Sequence, residues 1–387
     1  MRSVGADYSG TLIEFHWLIM KRILLSFFIL TFVFLFFSVD SYATDVDEGY
    51  FDEQIQYILA NIPDDVKDLI GNKTEMKSFV DFTFKDIVDV ILKIVTGKIE
   101  SPLKSLVKLT SVIVVIAVSE CFIPDDTKTK LIMEVLGKTM CVVSVISPIS
   151  DAIISAVASV NVSESFMLLL LPVLTSVVSA SGNPFTALSF QSISFAAAQI
   201  ITYIALNVMV PIVGVVLSLD FAGTLMPVYN ISGITDFIKK SITVVMSFAA
   251  TVFVSFMGIK VALSNAADTV ANKGIRLVIS SAVPVVGGAL SEAYNGILGS
   301  MLLAKSTLGV LGISIMFLIN LPSCIQLLFW IFSLKLSSAV AELFDQKGIS
   351  QLMKALASSL TLLNVILVFV AVLFIISTAL LLVIKAG

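Results

Sequence analysis

The chain has 387 residues, of which 57% are hydrophobic and 13% charged, and its formal net charge is -4. Soluble domains contain about 45–50% apolar and about 25% charged residues, so this composition excludes a water-soluble globular protein. The three cysteines and the single histidine stand in no metal-binding spacing, so we expect no metal site. We also expect no cofactor and no nucleic-acid partner.

The first predicted element is a secretory signal peptide at residues 1–43. A basic pair at residues 21–22 precedes an apolar stretch at 23–37, and Ala43 ends a group of small residues that signal peptidase can read. The alternative is an uncleaved anchor, although the fifteen residues of this stretch are fewer than the roughly 20 needed to cross a bilayer. Met20 directly precedes the basic pair, so translation starting there is an open alternative.

An acidic segment follows at residues 44–102. Residues 44–100 carry thirteen carboxylates and six lysines, and their apolar residues recur at helical spacing. We expect two or three short amphipathic helices outside the cytoplasm. Their apolar faces can dock on a partner or on the membrane surface, or they can pack on each other.

The remaining residues, 103–387, are predicted to form a multi-spanning membrane domain. Nine apolar runs fall near Leu106–Phe122, Leu136–Val157, Phe166–Val178, Ile193–Leu219, Ile242–Leu263, Leu277–Leu290, Ile297–Leu321, Ile325–Val340 and Leu360–Ile384. Several runs are short or interrupted. The sequence therefore predicts an all-α polytopic protein with about seven or eight transmembrane helices, one of them possibly re-entrant.

Loop charges give an expected orientation. If the signal peptide delivers residue 44 outside the cytoplasm, the loop with Lys128 and Lys130 falls inside, as the positive-inside rule requires. A loop at 151–164 and the acidic loop 220–237 then fall outside, and residues 273–276 fall inside. Lys239 and Lys240, at the outer end of the fifth run, are an exception to this pattern.

Two features of the later runs are candidates for function. The run Leu277–Leu290 contains Pro284, Gly287 and Gly288, which favour a broken or re-entrant segment, although a simple packing kink is an equal alternative. Glu292 and Lys305 flank the stretch 296–299, and a chain turn there would let the two charges pair in a wet cavity. Independent interfacial positions are the alternative for these two residues.

Enzyme activity is not indicated. The sequence contains no phosphate-binding G-x-x-x-x-G-K-[ST] loop, no H-E-x-x-H and no G-x-S-x-G. Energy for any transport would have to come from a partner ATPase or from an ion gradient.

The stretch from Pro284 to Ala293 resembles the signature of the stage III sporulation protein AE family of endospore-forming bacteria. The stretches at 170–174, 179–182 and 302–306 are similar to that family as well. The resemblance extends over most of the chain from about Phe51, and it is more specific in the membrane region than in the acidic segment.

The resemblance implies a permease-like, non-enzymatic component of a sporulation channel. It implies a location in the mother-cell membrane that surrounds the forespore, and a role in late forespore gene expression and spore formation. The implied partners are membrane proteins encoded with it, which include a secretion-type ATPase and ring-forming components, and a forespore membrane protein. The sequence leaves open an autonomous ion-coupled transporter and a membrane assembly scaffold.

Overall fold

The structure of the protein is a computed structural model that describes residues 84–122, 127–225, 231–282 and 287–382. These residues belong to one compact unit of the chain and contain no β-strand. The seven α-helices are α1 (Phe84–Cys121), α2 (Thr127–Ala180), α3 (Pro184–Ile204), α4 (Val210–Leu225), α5 (Ser232–Ala282), α6 (Gly287–Leu343) and α7 (Lys347–Leu382). Helix α1 runs through Pro102, the predicted end of the acidic segment.

A π-helical turn, Ala205–Met209, joins α3 to α4. Pro211 follows it and carries no N–H group to donate to the carbonyl four residues earlier, so the chain needs a local change of helical pitch. The result is one continuous helical path from Pro184 to Leu225.

Six helical segments in the described residues are long and apolar enough to cross a membrane. They are Asp89–Cys121, Ile132–Ala180, Pro184–Thr224, Gly233–Ile275, Ala304–Leu343 and Lys347–Leu382. The prediction of an all-α polytopic membrane protein is therefore confirmed. The segments are fewer than the apolar runs because some runs share one helix.

Helix α2 joins two of those runs. Leu136–Val157 and Phe166–Val178 both lie on it, so the loop expected at 151–164 is wrong. The polar residues of that stretch are compatible with a helix because neighbouring α6 supplies hydrogen-bond partners for some of them, including Ser159 and Ser163.

Helix α6 likewise joins Ile297–Leu321 to Ile325–Val340. It is continuous through 296–299, so the turn that we expected there is wrong. The helix rises by about 20 Å between Glu292 and Lys305.

Helices α6 and α7 form an antiparallel hairpin at the centre of the bundle. The Ser338 and Ser350 hydroxyls lie 2.9 Å apart near the connecting turn, and Gly309 contacts Leu382 at the other end. Asp345 in the turn has φ 55°, a left-handed conformation that Asp tolerates better than most residues. Buried residues occur along the whole of α7, so this helix is the core on which the others pack.

Contacts between helices also show which helix termini lie at the same end of the bundle. Lys138 Nζ, near the start of α2, donates to the Thr224 carbonyl near the end of α4 at 2.5 Å. The N-terminal part of α2 and the C-terminal part of α4 therefore lie at the same end of the bundle. The expectation that Lys128 and the loop 220–237 lie on opposite sides is wrong, because α2 crosses once where two crossings were predicted.

Candidate functional site

A buried carboxylate holds the turn between α2 and α3. Asp268 of α5 accepts the N–H of Phe185 on Oδ1 at 2.9 Å and the N–H of Thr186 on Oδ2 at 2.8 Å. Its residue surface is fully buried. The carboxylate thus satisfies two amides at the positive end of the α3 dipole and ties α3 to α5.

The same turn receives a second bond from α5. Asn272, one helical turn after Asp268, donates its amide to the Gly182 carbonyl, and Gly182 has φ 86°. Glycine adopts this left-handed conformation without a steric penalty. Asn183 is fully buried beside it, and its amide donates to the Ser181 carbonyl at 3.3 Å. We call Ser181, Gly182, Asn183, Asp268 and Asn272 the Asp268 cluster.

An ion pair joins the C-terminal part of α4 to the N-terminal part of α5. Lys239 Nζ lies 2.8 Å from Asp220 Oδ2, with side-chain exposures of 13% and 5%. The Ser359 hydroxyl of α7 donates to the same carboxylate oxygen at 2.8 Å. Asp220, Lys239 and Ser359, called here the Asp220 cluster, therefore connect three helices through one buried charge pair.

A second buried lysine lies at this end. Lys138 pairs with Glu134 at 2.8 Å on its own helix and bonds to the α4 carbonyl described above. Gly348, at the start of α7, packs directly against both side chains of that pair, leaving no room for a Cβ atom. The ammonium group is thus enclosed by α2, α4 and α7.

The separation of the two clusters matches the thickness of a bilayer. Lys239 and Asp268 are 29 residues apart on α5, a rise of about 44 Å. A bilayer including its headgroups is roughly 40–45 Å thick. This separation is compatible with one cluster at each membrane interface.

Polar side chains also join α2 to α6 about halfway between the clusters. The Ser323 hydroxyl lies 2.7 Å from that of Ser159 and 3.0 Å from that of Ser155. Asn320 donates to Ser163 at 2.8 Å, and its Oδ1 atom is buried with no hydrogen-bond partner among the described residues. Pro322 between them leaves a carbonyl of α6 without its helical donor. This is the most polar helix contact inside the bilayer region.

The structure separates the residues singled out in the sequence. Ala43 and Pro284 lie outside the described residues. Gly287 and Gly288 begin α6, and Glu292 lies on that helix with a side chain outside the described residues. Helix α5 ends at Ala282 and α6 begins at Gly287, and the residues between them lie outside the described residues, so the proposed break stays a prediction.

Two other candidates are in the described part. Lys305 lies on α6 and is 1% exposed, so its charge is inside the bundle. Its proposed pairing with Glu292 is untested by side-chain geometry. Trp330, also on α6, is fully buried and packs within the bundle.

No group of three or more metal-binding side chains occurs in the residues that the structure describes. A shallow depression between α3 and α5 is lined by Thr186, Ser189, Phe190, Ile193, Met257, Lys260, Val261 and Ser264. It has essentially no interior volume for a water molecule. The described surface at this position therefore holds no preformed ligand cavity.

The sequence reading missed the Asp268 cluster, and it met Lys239 only as an exception to the charge rule. The structure explains that exception, because the lysine neutralises Asp220. A usable signal was the Asp-x-x-x-Asn spacing at 268 and 272, which places two polar side chains on one face of a helix next to an apolar run.

Comparisons with known proteins identify relatives. A family model described as Stage III sporulation protein AE matches residues 65–385. The Stage III sporulation protein AE of Bacillus subtilis (strain 168) is 20% identical over 240 residues, which cover 62% of this chain and 60% of that protein. The chain thus aligns with less than two thirds of this relative. No solved structure matches.

Proposed function

Because this chain belongs to the stage III sporulation protein AE family, we propose that it is a non-enzymatic, permease-like membrane component of a sporulation channel. The channel links the mother cell to the forespore, and the protein acts from the mother-cell membrane around the forespore. The observation that carries this proposal is the family match, which includes all the helices that cross the bilayer.

The helical bundle is consistent with a membrane component that relies on partners for energy. The sequence has no nucleotide-binding loop, so we propose that a secretion-type ATPase and ring-forming membrane proteins act with it, together with a forespore membrane protein. The charge clusters join helices rigidly at both interfaces, which suits a fixed core to which partners attach.

An autonomous ion-coupled transporter is the alternative. The polar contact at Asn320 and Ser323 lies near mid-bilayer, where transporters of that class bind their ions, and this observation favours it. An assembly scaffold is a further alternative that the same rigid bundle would serve.

We also propose that the helix break around Pro284, Gly287 and Gly288 is functional. Replacing Pro284 by alanine together with Gly287→Leu should favour one continuous helix across α5 and α6. We expect this variant to reach the membrane at the normal level and to fail in sporulation. Normal spore yield from it would refute the role of the break.

The proposed function is tested by asking in which of the two cells, mother cell or forespore, the protein must be made. In a deletion strain we expect loss of heat-resistant spores, with arrest after engulfment and low late forespore reporter expression. Expression of the full chain from a mother-cell promoter should restore spores, and expression from a forespore promoter should not. Normal sporulation of the deletion strain, or rescue from the forespore alone, would contradict the proposal.

A further inference from the structure

One lysine stands at the end of an uncharged stretch of α5. The helix carries no charged residue from Ser241 to Ile259, and Lys260 follows this stretch at an exposed position. The stretch rises by about 28 Å, which is close to the roughly 30 Å of hydrocarbon in a bilayer. We therefore expect Lys260 near the boundary between acyl chains and headgroups, on the side of the bundle toward Asp268.

Lys260 borders the shallow depression between α3 and α5. The hydroxyl side chains that line it lie toward the Asp268 end of the bundle, and they are Thr186, Ser189 and Ser264. Two apolar lining residues, Ile193 on α3 and Met257 on α5, lie one to two helical turns farther from that end. The depression is therefore polar at one end and apolar at the other, as a phospholipid is.

The charge of Lys260 is open to an anion from outside the bundle. Among the described residues, no aspartate or glutamate lines the depression. The ammonium group lies over the exposed ring of Phe256, 5.9 Å from the ring centroid. Asp268 is two helical turns away and fully buried, and both of its oxygens accept backbone amides of α3.

A second polar group of the depression needs an acceptor. Thr186 is fully buried, and its hydroxyl oxygen has no hydrogen-bond partner among the described residues. A helical threonine commonly donates to the carbonyl four residues earlier, but here that carbonyl, of Gly182, accepts the Asn272 amide. Because an unpaired buried hydroxyl is unfavourable, an acceptor oxygen that enters the depression would be stabilised there.

We propose that this depression binds one phospholipid with an anionic headgroup. Lys260 and the Ser264 hydroxyl contact the phosphate, and a phosphate or ester oxygen accepts from Thr186. One acyl chain lies along the groove past Ile193 and Met257. The shallow shape suits a chain that lies on the helices, and charge complementarity favours an anionic lipid over a zwitterionic one.

The surrounding surface favours lipid over a protein as the occupant. Large apolar side chains are exposed next to the apolar end of the depression, namely Ile200 on α3 and Val252 and Phe256 on α5. Exposed hydroxyls on the same surface donate to carbonyls of their own helices, as Ser192, Ser247 and Thr251 do. Such a surface is compatible with acyl chains because its polar groups are satisfied within the helices.

Photocrosslinking tests the site and its headgroup preference together. The full chain in detergent is mixed with phosphatidylglycerol or phosphatidylcholine, each with the same diazirine on one acyl chain, and adducts are located by peptide mass spectrometry. We expect adducts near Ile193 and Met257, about fivefold more with phosphatidylglycerol, since one lysine near a membrane surface contributes about 1 kcal/mol toward an anionic lipid. Equal adducts from both lipids would overturn the anionic site.

Substitutions identify the group that selects the headgroup. Lys260→Gln should lower the phosphatidylglycerol adduct about fivefold, and Lys260→Arg, which keeps the charge, should retain it. The matched control is Lys240→Gln, exposed at the other end of the uncharged stretch, which should label as the wild type does. Unchanged labelling of Lys260→Gln would refute the lysine contact. Ser264→Leu tests the groove without changing charge, and it should reduce adducts from both lipids.

Other occupants give different results. An excess of inorganic phosphate should leave the lipid adduct intact, because burial of the acyl chain supplies much of the binding free energy. Displacement by phosphate as strong as by unlabelled phosphatidylglycerol would indicate a free-phosphate site and overturn the lipid assignment. The probe should also label these positions in isolated membranes. Labelling in detergent alone would show that a protein covers the surface in the membrane, and lipid would be the wrong occupant.

This inference goes beyond the proposed channel function and does not rest on it. The adducts are measured on purified protein and isolated membranes, so they do not depend on spore yield. A strain that sporulates normally without the gene would refute the channel role and leave the lipid site standing.

Discussion

Single side chains at the bundle ends stabilise contacts that the apolar packing does not supply. Asp268 is the clearest case, because two backbone amides of another helix point at its two oxygens. Bonds to a charged acceptor are stronger than neutral ones, and a buried donor left unpaired adds its desolvation cost.

Asp268→Asn should therefore destabilise the bundle. The amide presents an NH2 group to one of the two N–H donors, and we expect a loss of about 1–3 kcal/mol. The measurement is the Tm of the detergent-solubilised full chain. Asp236→Asn, at an exposed position on the same helix, is the control and should leave the Tm unchanged. Equal effects of the two substitutions would contradict the capping role.

The Asp220 cluster allows a double-mutant test. Lys239→Met removes one partner of a buried pair and leaves the Asp220 carboxylate uncompensated, a change that costs roughly 3–5 kcal/mol in buried pairs. Adding Asp220→Asn should recover most of the lost stability, because the asparagine can still accept from Ser359. The exposed pair of Lys104 and Glu100 is the control, and Lys104→Met should have no measurable effect. Additive losses at 220 and 239 would show that the two charges are not coupled.

At the scale of helices, the sequence predicted element type well and boundaries poorly. Apolar composition and length were enough to predict membrane helices, since the bilayer imposes both. The stretch 151–164 looked like a loop because it contains polar residues between two apolar runs. Their partners, Asn320 and Ser323, are more than 150 residues away in sequence, and periodicity carries no information about such contacts.

The glycines of these helices show the same limit, because their packing partners are also distant in the sequence. Gly309 and Gly312 both pack tightly against leucines of other helices. Gly258 and Gly299 are equally small, yet no atom lies within 4 Å of a Cβ added at either position. Small size is visible in a sequence, whereas the partner that makes it necessary is not.

This contrast gives a matched test on one helix. A Cβ at Gly312 would lie 2.5 Å from Leu170 Cδ2, and that leucine is fully buried on α2. Gly312→Leu should therefore separate α2 from α6 at a cost of about 1–3 kcal/mol. Gly299→Leu, on the same helix with open space around it, should be neutral or slightly stabilising through helix propensity. The measurement is Tm in detergent, and equal destabilisation of both variants would contradict the tight α2–α6 contact.

At the scale of the whole molecule, the described bundle has two distinct ends. One end, near the Asp220 cluster, carries Lys128, Lys130, Lys239, Lys240 and Lys347. The end near the Asp268 cluster carries fewer basic residues, among them Lys273 and Arg276. From the positive-inside rule we expect the Asp220 end to face the cytoplasm.

This orientation keeps part of the sequence prediction and revises the rest. Lys128 remains inside, and the position of the acidic segment outside the cytoplasm stays a prediction. The Asp220 and Lys239 ends of α4 and α5 move inside, which removes the difficulty with Lys239 and Lys240, and residues 273–276 move outside. The C-terminal end of α7 lies toward the Asp268 end of the bundle, because Leu382 contacts Gly309 there.

The channel proposal requires a bundle that crosses the bilayer with a defined orientation, so the sidedness of its ends is the most direct test of the account. Single cysteines at Thr129 and Gly233 represent one end, and cysteines at Ser179 and Lys273 the other, all at exposed positions. An impermeant thiol reagent added to intact cells should label Ser179→Cys and Lys273→Cys and leave Thr129→Cys and Gly233→Cys unlabelled until the cells are opened. Labelling of Thr129→Cys and Gly233→Cys from opposite sides would show that α2 crosses twice and would contradict the account.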